Sequence, residues 1–337
     1  MELFFHYLNH LCVGLGLGDM QLWKDRIPRL AFRCHTVLHL LLAASALHLA
    51  RQDSERRHQL EERAEMHLTV GLRRTTEILP NLNADNCAEL YIATILVCIC
   101  TFAKRPGPRN LLLVAEGEEV AWWTLFKGVR IVVETYGIPT VFSGELGPLP
   151  SDVDAAQRDE HPTNSHDHVD LKVIEWEGAF GGLSTLVSSI PNEGVRETCQ
   201  GALNILTFCF QETYGTAESP KPFVYAKFET IMMWFYCLTD EFIGYLREDQ
   251  PVPLILLAHF TVLLQTLDDI WFMSGWAAHV LRGVWGILGP AWYEWLRWPM
   301  LHIEKPESVG SYWASNTLDT EPAFQLWSQH MGGFEET

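Results

Sequence analysis

Two long apolar stretches, Val37–Ala50 and Leu90–Ala103, constrain this chain more than any other feature. In both, apolar residues recur at three- and four-residue steps, the period of a helix face. Each stretch is 14 residues long, too short to span a bilayer and typical of a buried helix. The first is also interrupted by His39 and His48. The chain therefore has to build a water-soluble core in which such helices are covered. Its 337 residues, 48% of them hydrophobic and only 20% charged, are enough to do so.

Helical patterning continues along the chain. The spacing predicts a helix from Pro28 to about Arg51. A second, capped at Asp53 or Ser54, runs to Leu79 before Pro80, and a third covers about Ala84–Lys104. A further helix is expected over Glu118–Tyr136, with Gly117 at its entry, and others over Leu171–Ile190, Asn192–Tyr214 and Pro222–Leu246. Several shorter ones follow from Val252 to Trp298. No strand alternation of useful length is visible. The expectation is an all-α fold, an array of packed antiparallel helices around an apolar core or pocket. One helical domain would cover residues 1–300, with a mobile acidic loop at about 144–170 and a C-terminal tail at 301–337. Eight of the 13 tryptophans lie after residue 270, and Trp292, Trp295 and Trp298 share a helix face, as a thick core or a pocket wall requires.

Charge narrows the partners. With 24 basic and 42 acidic residues the net charge is −18, which repels phosphate. Direct DNA binding and attachment to an anionic membrane are both disfavoured, and no membrane span is expected. The eight cysteines sit mostly in apolar runs with no C-x-x-C pair, the pattern of buried thiols in a reducing compartment. The N-terminus lacks the basic start and cleavage site of a signal peptide, so nuclear or cytoplasmic residence is expected.

Motifs with chemical potential are few. Asp268-Asp269 resembles half of an aspartate-rich magnesium site, but Phe272 stands where a third aspartate would be, so a solvated acidic pair at a helix end is the simpler reading. His161, His166, Asp167, His168 and Asp170 lie in a loop with no scaffold for a metal. Gly14, Gly16 and Gly18 follow no strand and read as a turn. His35 and His39 share a face, with His48 further along the same helix. Without an accompanying carboxylate pattern they read as core or pocket-rim histidines. No metal or other cofactor is implied.

The segment Trp23–Arg51 (WKDRIPRLAFRCHTVLHLLLAASALHLAR) resembles the opening of the C-terminal regulatory domain of fungal zinc-cluster transcription factors, most closely the sterol uptake control proteins. MELFFHYLNHL resembles that domain's lead helix, and WTLFKGVRIVVE its "Arg-Gly-Val" helix with Lys127 in place of arginine. Pro253–Pro299, with its "Leu-Leu-Ala-His-Phe", "Gly-Trp-Ala" and "Trp-Leu-Arg-Trp-Pro" steps, is similar in order and spacing. The resemblance implies an all-α ligand-binding domain that senses a sterol or related hydrophobic molecule and acts in transcription. The family's cysteine cluster and basic linker are not in this sequence. A protein partner would then supply DNA contact, and a homodimer is possible. By position, Met232, Phe235, Phe260, Leu264, Trp271, Met273, Gly275 and Trp276 are the expected lining. An alternative is a stand-alone cyclase or isomerase of secondary metabolism reusing the pocket, with His259, Asp268 or Asp269 as acid or base.

Overall fold

A computed structural model describes residues 1–15, 20–104, 106–107, 109–115, 118–119, 121–143, 146–147, 174–219, 221 and 228–303. The fold is all-α, as the periodicity predicts. Of the two segments expected to lie outside the core, the acidic loop at 144–170 falls outside the described residues except for 146–147, and the tail except for 301–303. The histidines at 161, 166 and 168 are outside as well. Among the described residues no helix is long and apolar enough to cross a membrane. Seven of the eight cysteines are buried, the eighth is half-buried, and all are free thiols.

The chain forms two compact units. The first comprises described residues of Met1–Lys104, Ala121–Asp170 and Ile270–Phe272. It holds α1 (Glu2–His6), α2 (Ile27–Arg33), α3 (His35–Gln52), α4 (Arg57–Ile78), α5 (Cys87–Ala103) and α6 (Ala121–Tyr136). After α1 the chain continues through a wider π-helical turn at Tyr7–Leu11. Helix α3 lies at the centre and packs on α1, α2, α4 and α5. The small residues Ala43, Ala44, Ser45 and Ala46 are all fully buried, which lets its neighbours approach closely. On α4, Gly71 serves the same purpose: a Cβ there would stand 2.5 Å from Leu40 Cγ and Cδ2.

The single helix expected from Pro28 to Arg51 is in fact two. Cys34 has extended backbone, φ −110° and ψ 102°, between α2 and α3. The break turns α2 so that Ile27, Leu30 and Ala31 are buried and α2 packs on α3 instead of extending past it. The next helix starts at Arg57, later than expected, because Asp53 ties the turn: its Oδ1 accepts the Arg56 N–H at 3.0 Å and its Oδ2 the Arg56 Nε–H at 2.7 Å.

The second unit comprises described residues of Arg105–Val120, Leu171–Asp269 and Met273–Thr337. Its helices are α7 (Glu177–Ser188), α8 (Glu193–Tyr214), α9 (Phe228–Cys237), α10 (Asp240–Arg247), α11 (Pro251–Gln265), α12 (Trp276–Ile287) and α13 (Tyr293–His302). A two-residue hairpin, β1 (Val114–Ala115) with β2 (Glu118–Glu119), pairs antiparallel in the register Val114↔Glu119 and Ala115↔Glu118. It takes Glu118 and Glu119 out of the helix expected to start there. The preceding run Leu111–Val114 is buried, and the chain bends at Leu112, φ 75°, just before β1. The helix expected to run from Pro222 to Leu246 is likewise divided, since the Thr239 Oγ accepts the Phe242 N–H at 3.3 Å and caps a new helix, α10.

Helix α11 organises this unit. Every residue from Val252 to Leu264 is buried, and α7, α8, α10, α12 and α13 pack around it. Each fully buried Leu, Ile, Val or Phe on it contributes about 1.5–3 kcal/mol. Pro251 at the first position costs α11 no hydrogen bond, because that N–H would have no partner inside the helix.

The close approach at Gly71 makes an expected outcome. Gly71→Ala gains helix propensity but overpacks against Leu40, and should destabilise the protein by about 1–3 kcal/mol. Gly201→Ala, on α8 with nothing within 4 Å of the added Cβ, should stabilise it by up to about 1 kcal/mol. Paired denaturant unfolding curves check both signs.

Candidate functional site

The nominated residues are divided between the two units. Met232, Phe235, Phe260, Leu264, Met273 and Trp276 are buried in the second unit, where Gly275 also lies. Trp271 belongs to the first unit, with its ring edge-on to His48 at 4.8 Å and the Arg51 guanidinium 5.5 Å from its centroid. Within the second unit, Phe260 of α11 stacks on Trp234 at 4.4 Å and packs on Phe235 at 4.7 Å. Trp234 Nε1 donates to the Ala202 carbonyl at 3.0 Å, fixing the ring. Met273, Gly275 and Trp276 form the turn into α12. Gly275 has φ 85°, a left-handed conformation suited to glycine, and its N–H donates to Asp268 Oδ1 at 2.7 Å.

One step along α11 from Phe260, His259 faces a second aromatic group that the sequence reading did not nominate. The Trp298 ring lies parallel to the imidazole at 5.4 Å and 7°, and Phe180 meets it edge-on at 6.3 Å. Phe180 packs on Phe210 at 4.6 Å and on Trp176 at 5.1 Å. The indoles are held by their backbone partners: Trp176 Nε1 donates to Gly215 O at 3.0 Å and Trp298 Nε1 to Glu175 O at 3.1 Å. The signal for this shell was present as i, i+4 aromatic pairs, Trp176 with Phe180 and Phe210 with Tyr214, each on one face of its helix. What the sequence did not show is that packing brings Phe180 and Trp298 onto His259, with Phe210 against both of them.

His259 is the polar element of this shell. Its Nδ1 lies 2.9 Å from the Ile255 carbonyl, an acceptor, so Nδ1 carries the proton and Nε2 carries the lone pair. Burial pushes its pKa down to about 4, so the ring is neutral at pH 7. The arrangement offers an apolar, aromatic environment with one hydrogen-bond acceptor. It is poorly matched to general-base work, which is most effective with a pKa near the working pH. Of the other two residues in the catalytic alternative, Asp268 is committed to the Gly275 N–H and Asp269 is exposed. Among the described residues no group of three or more His, Cys, Asp or Glu side chains could hold a metal.

Residues 2–166 match the family model described as "Fungal specific transcription factor domain". Over residues 2–166 the chain is thus similar to a fungal transcription factor regulatory domain. It is also 31% identical over 113 residues to Sterol uptake control protein 2 of Candida albicans, a match covering 33% of this chain and 15% of that protein. To Sterol uptake control protein 2 of Saccharomyces cerevisiae it is 28% identical over 110 residues, covering 32% of this chain and 12% of the relative. The similarity thus spans about an eighth to a seventh of these curated relatives. The domain match covers most of the first unit's helices, whereas the aromatic shell around His259 lies in the second unit.

Burial of neutral imidazoles sets a pH dependence. His259 and His279 of the second unit are both held at about 4, against about 6.5 in an unfolded chain. Below pH 6.5 the unfolded state takes up protons that the folded state does not, so stability falls as pH drops from 6.5 toward 4. It is constant with respect to these groups above 6.5. Each histidine contributes a slope of at most about 1.4 kcal/mol per pH unit. His259→Gln should flatten the acid limb by about one proton, checked by urea unfolding between pH 4.5 and 7.5.

Proposed function

We propose that this chain is the sensing part of a fungal-type transcription regulator that binds a hydrophobic, sterol-like small molecule. The observation that carries the ligand reading is a neutral His259 set against Phe180 and Trp298, with Trp176 and Phe210 packed behind them. A sterol has a large apolar body and a single hydroxyl. The shell supplies apolar contact, worth about 25 cal/mol per Å² of surface removed from water, and Nε2 of His259 supplies one acceptor for that hydroxyl. The name of the two relatives supports the same ligand class.

Under this reading the chain acts in the nucleus, or moves between cytoplasm and nucleus, and affects transcription through a protein partner. The net charge of −18 supports contact with DNA through such a partner in preference to direct contact. Phe5 and Phe32, 67% and 65% exposed, are large apolar side chains that a partner or a second copy would cover.

Titration of the purified chain with a fluorescent sterol, read by energy transfer from tryptophan, tests the ligand. Saturable binding is expected, with displacement by unlabelled sterol. His259→Leu removes the acceptor and should weaken binding about tenfold, the worth of one hydrogen bond of about 1.4 kcal/mol. Absence of saturable transfer with the wild-type chain would sink the ligand reading.

A further inference from the structure

Among the described residues of the first unit, two pairs of imidazole nitrogens lie within hydrogen-bond distance, and α3 contributes to both. His48 Nδ1 lies 2.8 Å from Nε2 of His6, which is on α1. His39 Nδ1 lies 2.9 Å from Nδ1 of His67, which is on α4. A hydrogen bond between two ring nitrogens needs one N–H and one lone pair. Such a pair can hold its bond while one of the two facing nitrogens is unprotonated. Once both rings are doubly protonated, two N–H groups and two positive charges face each other and the contact becomes repulsive.

The surroundings make a second proton costly. At the first pair the neighbouring groups are His10 beyond α1, Arg51 on α3 and the Trp271 ring, with Glu2 of α1 the one carboxylate. Glu2 is already shared between Arg56 at 2.7 Å and Arg63 at 3.1 Å. At the second pair the groups are His35 on α3 and Arg63 and Arg74 on α4. Helices α2 and α5 also pack on α3 but bring no charged group to either pair among the described residues. Burial lowers the pKa of all four histidines, that of His48 to about 4.

We propose that the His6–His48 and His39–His67 bridges form a proton-operated latch on α3, closed near neutral pH and opened locally by acid, releasing first the five-residue α1 and loosening α4. The N-terminal lead helix is the part that moves because His6–His48 is its polar anchor to α3, whereas α4 also packs along the length of α3.

Amide hydrogen exchange of the full chain at pH 7.5 and pH 5.0, corrected for intrinsic rates, tests the latch. The expected result is at least a tenfold loss of protection in residues 2–14 at pH 5.0. The double variant His6→Gln with His48→Gln should lose that pH step, because neither amide titrates. The proposal is overturned by either of two outcomes: no step in the wild-type chain, or the same step in the double variant. Should the variant fail to fold, an NMR titration of the wild-type histidines decides. Uptake of the second proton of each pair well below pH 6.5 supports the latch, and four independent titrations near 6.5 overturn it.

Discussion

Two strongly apolar helices, α3 and α11, are the constraint on which the rest of this structure depends. A helix with one apolar stripe needs one neighbour, whereas a helix buried all round must be enclosed. Helix α11 has 13 consecutive buried residues and is surrounded by five other helices. Helix α3 is buried over most of its length: with four small residues in a row at Ala43–Ala46 it admits its neighbours closely, and Gly71 on α4 meets Leu40. Each compact unit is the set of helices gathered around one such centre.

The same burial produces the chemistry of both histidine groups. His259 sits on α11 because the sequence places it inside an otherwise apolar run. Its burial keeps it neutral, and the Ile255 carbonyl fixes which nitrogen keeps the lone pair. His39 and His48 sit on α3 for the same reason, but there the partners that satisfy them are other imidazoles. A buried polar group has to be hydrogen-bonded, and the chemistry of the available partner then decides what the group can do. Next to a carbonyl and flat against an indole, a histidine is an acceptor in an apolar wall. Next to a second histidine it is a site where a proton changes a helix contact.

The candidate site was partly legible in the sequence. Phe235 and Phe260 were nominated and do pack together, because both lie in strongly apolar helices. Trp271 was nominated with them but lies in the first unit against His48, since three residues, Ile270–Phe272, belong to that unit while both flanks belong to the second. No local pattern marks so short a crossing. Trp176, Phe180 and Phe210 were missed because they are remote in sequence from Trp298, and only helix packing brings them to it.

What the sequence by itself determined was the helical class, the two apolar runs that had to be enclosed, the buried state of the thiols and the resemblance to a fungal regulatory domain. These follow from short-range periodicity and composition, which the chain carries locally. Only the tertiary structure decided that Cys34 divides α2 from α3, that Glu118 and Glu119 pair as a hairpin, and which side chains surround His259 and His48. No proline or glycine at Cys34 announces its break, and neither histidine carries a mark of its partner. Both outcomes depend on which distant faces meet, a property of the packed helices that no single segment contains.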